Sequence, residues 1–466
     1  MPLVIHSKPE RKKVAKKQKI LVLSDDPRAP SGVGIQCRLL IEGLLATGKY
    51  SFVCLAGAIK HNNYNSVTLN QDFIIKPVDG FGDHELIKNI LLTERPDAVF
   101  IFTDPRQFMW LWEIEDEVRQ VAPIVYWHVW DNDPYPEFND VWYQSTDLIN
   151  CLSHKTYELV HPKFPDKTHY IPHAFPKTMF YPAPSEEEIQ KLKKDNLGDK
   201  ADWFIGLWIN RNAARKMPSD LLESWKLFLD KLQAEQGHKK ALLIMHTNPE
   251  DPEGPNLAAV QHMLGLHNNV LYSTAHVPPS HMNVLHNISD VFINISKNEG
   301  FGLGSLEQLQ CGKPIVVLKT GGLTRQVIDH RTNTELGVGI EPVTRKLIGG
   351  QLVPYIYEDY AAQEDVANAI MRIYKMTKEE KESLKEKALD YVNFEFNYEK
   401  MIADWDRTLS DTITKFKTNP ERKWSLVDLS VNVEESVTKP VQAGPKNPRD
   451  MFKKIEPSVL AKIGRK

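Results

Sequence analysis

Two carboxylates eight positions apart, Glu299 and Glu307, bracket a glycine-rich run: Asn298-Glu299-Gly300-Phe301-Gly302-Leu303-Gly304-Ser305-Leu306-Glu307. The run follows an apolar stretch, Val291-Phe292-Ile293-Asn294-Ile295-Ser296, which predicts a strand, a glycine turn and a helix beginning near Leu303. Glycines let backbone approach a ligand closely. The first helical turn, with unpaired N–H groups and a positive dipole end, suits a phosphate. Glu299 lies before the turn and Glu307 one to two helical turns in, so the two can reach opposite ends of a bound molecule. An anion cradle between two hydroxyl acceptors matches a nucleotide-sugar, with the diphosphate in the middle, a hexose at one end and ribose at the other.

A second charged run, Asn210-Arg211-Asn212-Ala213-Ala214-Arg215-Lys216-Met217-Pro218, follows an apolar strand pattern and opens a helix. A helix N-terminus disfavours cations, so three of them there argue for an anionic ligand. A phosphate leaving with extra charge needs fixed cations, Arg as a planar fork and Lys as a compact charge. In the first half of the chain, Gly32 and Gly34 stand in a turn after the apolar run Ile20-Leu21-Val22-Leu23. His128 ends Ile124-Val125-Tyr126-Trp127-His128, at the strand end where open α/β sheets bind ligands, or is a core histidine bonded to a neighbour. Asp131 and Asp133 nearby either touch an acceptor or are ordinary residues of an Asp-Asn-Asp-Pro turn.

Glu-x7-Glu in the setting EGFGLGSLEQLQCGKPIVV resembles the signature of family 4 of the retaining glycosyltransferases, which have the two-domain GT-B fold. The resemblance implies that Glu299 holds the donor sugar hydroxyls and Glu307 the ribose. It implies that Arg211 and, five residues on, Lys216 hold the donor diphosphate. The run Gly300, Phe301, Gly302 and Leu303 would line the donor, and His128 would contact its sugar at the reaction centre. The turn at Gly32 and Gly34 would approach the donor phosphates and the acceptor as the domains close. Gly321-Gly322-Leu323 resembles the family's next loop, yet Arg325 and Gln326 stand where many members carry an acidic residue. His246-Thr247-Asn248 likewise replace small residues, and Tyr272-Ser273-Thr274-Ala275-His276-Val277 occupies the place where backbone reads the base. The expected substrate is a UDP- or GDP-sugar, with no cofactor and no metal, since side-chain cations serve the diphosphate.

Composition sets limits on the class. The chain has 466 residues, 41% of them hydrophobic and 26% charged, enough for two or three domains. No apolar run approaches the roughly 18 residues needed to span a bilayer, and no apolar signal core follows the N-terminal charges, so a cytoplasmic location is expected. Cys37, Cys54, Cys151 and Cys311 are scattered and read as reduced thiols rather than metal ligands. Residues 1–20 carry seven Lys/Arg against Glu10, net +6, and residues 441–466 carry seven against Asp450 and Glu456, net +5. With −3 on the whole chain, −14 remains on the body between. Basic arms on an acidic body are solvated tails or contacts for a polyanion.

The elements that must position these residues alternate in α/β fashion. Strands are expected at 20–23, 52–56, 98–102, 124–129, 148–152 and 170–172, and again at 203–209, 241–245, 270–272, 291–295 and 315–318. Helices are expected at 85–93, 218–232, 256–264, 280–287, 303–311, 323–329, 364–376 and 379–391. The fold class is α/β of GT-B type: two Rossmann-like doubly wound domains facing across a cleft. Residues 1–19 form a basic arm, 20–195 the acceptor domain, 196–392 the nucleotide-sugar domain, 393–417 a crossing back to the first domain, and 418–466 an extended basic tail with a short helix near 449–455 or 458–463. The expected activity is retaining transfer of a glycosyl unit to an acceptor hydroxyl of a saccharide, a lipid-linked glycan or a modified DNA base. A DNA-modifying transferase, a glycolipid-building enzyme at a membrane surface and a non-catalytic GT-B scaffold stay open as alternatives.

Overall fold

The computed structural model describes residues 16–419. Strand β1 (Gln18–Asp25) sets the pattern of the first half: Ile20 and Val22 turn to one core and Leu21 and Leu23 to another. A strand apolar on both faces needs helices on both. Around it run β2 (Tyr50–Gly57), β3 (Val67–Asn70), β4 (Phe73–Pro77), β5 (Ala98–Phe102), β6 (Ile124–His128), β7 (Leu148–Cys151) and β8 (Thr168–Tyr170), in the order β3-β4-β2-β1-β5-β6-β7-β8. All neighbours are parallel except the β3–β4 pair.

The second sheet contains β9 (Phe204–Ile209), β10 (Ala241–His246), β11 (Val270–Ser273), β12 (Val291–Asn294) and β13 (Ile315–Leu318). A small antiparallel pair, β14 (Ile328–Asp329) and β15 (Thr334–Glu335), precedes a last strand of the sheet, β16 (Gly337–Ile340). The order is β11-β10-β9-β12-β13-β16, parallel throughout. A hairpin, β17 (Thr344–Ile348) and β18 (Ile356–Tyr360), follows. Ile205 and Leu207 of β9 share a core cluster with Ile20, Phe301, Phe396 and Trp405, so one apolar core runs between the two sheets.

The last helix, Tyr398–Thr418, returns to the first sheet. Its Trp405 is fully buried, with ring centres 5.3 Å from Phe100 and 5.4 Å from Trp127. Tyr50 donates to Asp406 Oδ1 at 2.7 Å and Asn150 Nδ2 to Thr408 Oγ1 at 3.1 Å. An apolar anchor with polar bonds at its rim loses about 3–5 kcal/mol when the indole is cut to a methyl.

Several elements differ from expectation. Strand β8 begins two residues earlier, at Thr168, and ends before Pro172, which has no N–H for a ladder. The hairpin β17–β18 and the β3–β4 pair were not expected, because short exposed strands carry little apolar signal. The charged run before Lys200, to which no element was assigned, holds the helix Glu186–Leu197, capped by Ser185 and with three glutamates in its first turn. Lys19, assigned to the basic arm, lies in β1 and pairs with Glu94 at 2.9 Å. Residues 1–15 and 420–466, with the expected helix near 449–455 or 458–463, lie outside the described residues.

Burial holds His128 and His173 down to about 3, against an ordinary value of 6.5. Both therefore fold neutral. As pH falls below about 6.5 the unfolded chain binds protons that the folded chain refuses, so stability is full above that pH and drops by up to about 1.4 kcal/mol per pH unit for each histidine toward about pH 3. Urea unfolding should report lower stability at about pH 5 than at about pH 7, and His173→Phe should flatten the slope. Equal stability at both would contradict the assignment.

Candidate active site

Lys216 and Glu299 form an ion pair with only 7% and 8% of each residue exposed. Lys216 ends a short turn after β9, where Met217 takes left-handed backbone and Pro218 opens the helix Pro218–Gln236. Glu299 ends the loop after β12, and Lys297 N donates to Arg215 O at 2.9 Å, joining the two loops. Arg215 Nη1 donates to Asn298 O at 3.3 Å and lies 4.0 Å from Asp131 Oδ2. Burial alone would raise the Glu299 carboxyl, but Lys216 and Arg215 outweigh it and hold the group below the usual carboxylate range. Burial pushes Asp131 the other way, upward, with Arg215 opposing and Glu299 adding to the rise.

The glycine turn brings backbone into this cluster. Gly302 has φ +89°, and a side chain there would meet Leu323, 2.4 Å from its Cδ2. Leu303 then begins the helix Leu303–Gln310. A Cβ on Gly300 would lie 2.7 Å from Asp131 Oδ1, so the first unit's loop after β6 rests on the second unit's turn. Gly322 N donates to Glu299 O at 2.8 Å, bringing in the loop after β13. Gly32 packs against Leu303, and Gly34 N donates to Ser31 Oγ at 3.0 Å inside the helix Gly32–Ala46. The expected loop at Gly32 and Gly34 is thus already the first helical turn.

Five strand-end segments therefore meet between the sheets, and a polar network locks them. Asn132 Nδ2 donates to Asp359 Oδ2 at 2.7 Å and to Thr320 Oγ1 at 3.1 Å, and Thr320 Oγ1 donates to Asp359 at 2.7 Å. Arg345 Nε reaches Asp359 Oδ1 at 2.6 Å and Arg345 Nη1 reaches Asp133 Oδ2 at 3.4 Å. Burial raises Asp359, but Arg345, Thr320 and Asn132 overcome it and keep the carboxyl ionised, below its usual range. Asn132 and Arg345 were not singled out as site residues from the sequence. Asn132 lies inside the Asp-Asn-Asp-Pro turn and Arg345 in a fully exposed strand, whose composition carries little signal.

Other expected residues lie apart from the pair. Arg211 is 58% exposed and donates to Asp251 Oδ2 at 2.8 Å, with Glu253 at 2.9 Å. His128 is fully buried, its Nε2 2.6 Å from Tyr143 Oη and its ring against Tyr126, the core alternative. Glu307 Oε2 lies 2.9 Å from His286 Nε2, and His286 Nδ1 2.7 Å from Gln308 Oε1. Phe301 is buried between the rings of His173 and Phe396, and its carbonyl accepts from Gln326 Nε2 at 2.6 Å. Arg325 pairs with Glu395 at 2.9 Å, and His246 Nδ1 sits 2.9 Å from Ser273 Oγ. Among the described residues no group of three or more His, Cys, Asp or Glu could hold a metal ion, and no helix is long and apolar enough to cross a membrane.

Removing one partner of a buried pair strands the other charge, at about 3–5 kcal/mol, whereas an exposed pair contributes less than about 1 kcal/mol. Lys216→Met should therefore lower unfolding free energy by several kcal/mol in urea titrations, and Arg211→Ala by less than about 1. Equal effects would contradict the burial contrast.

Residues 189–390 match the family described as glycosyl transferases group 1. A stretch of 166 residues is 25% identical to D-inositol 3-phosphate glycosyltransferase of Acidothermus cellulolyticus, covering 35% of this chain and only 36% of that relative. Sucrose-phosphate synthase from Thermosynechococcus elongatus superposes with a TM-score of 0.65 at 17% identity, over 85% of this chain and 100% of that one. Anabaena Alr3699/HepE in complex with UDP-glucose gives 0.62 at 16% identity, over 84% and 99%. Trehalose-6-phosphate from E. coli bound with UDP-2-fluoro glucose gives 0.59 at 14%, over 85% and 99%. The chain therefore has the GT-B fold of these glycosyltransferases, and its residues 189–390 resemble the glycosyl transferases group 1.

Proposed function

We propose that this chain is a retaining, metal-independent glycosyltransferase that moves a glycosyl unit from a nucleotide-sugar to an acceptor hydroxyl in the cytoplasm. The observation that carries the proposal is the buried Lys216–Glu299 pair beside the glycine turn, at the strand ends of both sheets. A lysine and a glutamate held in contact there can be shared out to a ligand. The diphosphate takes Lys216 and the N–H groups of the first turn at Leu303, and the sugar hydroxyls take Glu299. Arg215 is the second cation beside that pair, and Arg211 would exchange Asp251 and Glu253 for phosphate oxygens. Glu307, steadied by His286, is assigned to the ribose. Gly32, Gly34 and the run Gly300 to Leu303 line the donor, and neutral His128 supports the wall through Tyr143.

In the reaction the bond from the sugar's anomeric carbon to phosphate breaks and a bond to the acceptor oxygen forms on the same face. The acceptor's proton passes to the departing phosphate oxygen. The chain contributes positioning, fixed positive charge and exclusion of water between the sheets. Alr3699/HepE in complex with UDP-glucose and the E. coli protein with UDP-2-fluoro glucose favour a UDP-sugar over a GDP-sugar. A DNA base as acceptor depends on basic arms that lie largely outside the described residues, and nothing in the described cleft favours it.

UDP at a hundredfold its dissociation constant should stabilise the chain by about 2.7 kcal/mol, visible as a melting shift. Arg211→Ala should diminish that shift. Glu299→Gln should keep most of it and lose about a hundredfold or more in transfer from UDP-glucose, since Glu299 meets the sugar and not the nucleotide. No shift with UDP or GDP would contradict the proposal.

A further inference from the structure

Glu307 meets a histidine that stands at the end of a chain of hydrogen bonds. His286 lies in the helix Pro279–Ile288 and is fully buried, its ring edge-on to Phe180 at 5.6 Å and 6.0 Å from Phe292. Ser289 Oγ donates to His286 O at 2.9 Å. That carbonyl belongs to the last helical turn. Asp290 N, which would reach it in a longer helix, donates instead to Ile205 O at 2.7 Å. The hydroxyl proton of Ser289 therefore caps the helix. Ser289 Oγ lies 3.1 Å from Gln308 Nε2 and 3.2 Å from Gln308 Oε1, and with its own proton committed it accepts from the first.

That order fixes the protons that follow. With Nε2 on Ser289, Gln308 turns Oε1 to His286, 2.7 Å from Nδ1. An amide oxygen only accepts, so Nδ1 carries a proton. Nε2 of the same ring lies 2.9 Å from Glu307 Oε2, and a carboxylate also only accepts. Two acceptors do not rest at that distance without a proton between them. A neutral imidazole has one N–H, and this ring needs two. Imidazole is a stronger base than a carboxylate by about two pH units, so the shared proton belongs to the ring.

We propose that His286 is a positioning residue held as an imidazolium, whose Nε2–H pins Oε2 of Glu307 and leaves Oε1 to accept a ribose hydroxyl of the donor. The assignment rests on the reading of Glu307 as the ribose ligand given above. Glu307 Oε1 has no hydrogen-bond partner among the described residues, and the Glu307 side chain keeps 13% of its surface exposed while that of His286 keeps none. A cation on one oxygen keeps the carboxyl an acceptor and aims the other. Without that proton two lone pairs face each other, and the carboxylate turns away. Ribose recognition is therefore lost as pH rises and the ring gives up its second proton. The other titratable groups around the pair are His246, on which Glu307, His276 and His286 all act, and Cys311, whose thiol burial and Glu307 push up. His246 and His276 gain charge only on the acid side, so an alkaline loss belongs to His286.

The test reads the His286 ring in nitrogen–proton spectra of the full chain at about pH 7.5, where a free histidine is largely neutral. His286 should show two ring N–H groups in the parent chain and one in Glu307→Gln, whose amide can donate to Nε2. In parallel, UDP and a dideoxy-UDP lacking both ribose hydroxyls are titrated by calorimetry from about pH 6 to about pH 9. The parent chain should prefer UDP by about tenfold or more. That preference should fall toward unity in His286→Gln, and in the parent chain it should fall in step with the second N–H as pH rises, while dideoxy-UDP binds alike in both. One ring N–H on His286 in the parent chain, or an undiminished preference in His286→Gln, would overturn the proposal. If His286→Gln does not fold, the spectra of the parent chain and of Glu307→Gln decide, with the alkaline loss of preference. Two ring N–H groups in a chain blind to UDP would keep the charged pair and sink the donor reading.

Discussion

A charge is tolerated in a protein interior only when an opposite charge accompanies it, and Lys216 with Glu299 shows how much of this molecule follows from that constraint. Neither side chain is stable there alone. The pair therefore requires two loops, after β9 and after β12, to arrive at one point. Those loops are adjacent because β9 and β12 are neighbours in the sheet. The glycine turn follows at once, since only backbone without side chains can pass Leu323 and Asp131 at Gly302 and Gly300. The same pair is costly to bury and ready to be exchanged, which is the condition of a binding site rather than of a structural bridge.

The second dependence is between the two sheets. One apolar cluster links Ile20 of the first sheet, Leu207 of the second, Phe396 just before the last helix, and Trp405 within it. Polar contacts sit at the rim of that core: Asn132, Thr320, Asp359 and Arg345 join the loop after β6 to the hairpin β17–β18. The apolar part supplies most of the attraction and the polar part its geometry, because Asp359 must be met by three donors or carry an unpaired charge in the interior. Asp131 stands within this frame, next to Gly300 and Arg215, and so inherits its position from neighbours on both sides.

Long buried strands were legible in the sequence, and short or exposed ones were not. Ile20 to Leu23 and Phe204 to Ile209 are continuous apolar runs and read as parallel strands at sight. Thr344 to Ile348 is exposed along its whole length, so burial leaves no mark on its composition. The Glu-x7-Glu run located the glycine turn and one member of the pair, and the Arg-x4-Lys run located the other. What could not be read was direction. Arg211 and Arg215 are equally basic on paper, yet Asp251 and Glu253 draw the first outward while Asn298 O and Asp131 draw the second inward. His128 was ambiguous for the same reason, since a strand-end histidine looks alike whether it meets a ligand or Tyr143.

The most direct measurement is a structure of the chain with UDP-glucose bound. Exchange of the buried pair predicts a diphosphate within hydrogen-bond distance of Lys216 Nζ and of the backbone N–H groups that open the helix Leu303–Gln310, with Glu299 turned to the glucose hydroxyls. A nucleotide seated elsewhere, or seated there with the Lys216–Glu299 contact intact, would contradict the view that this pair is the donor's place.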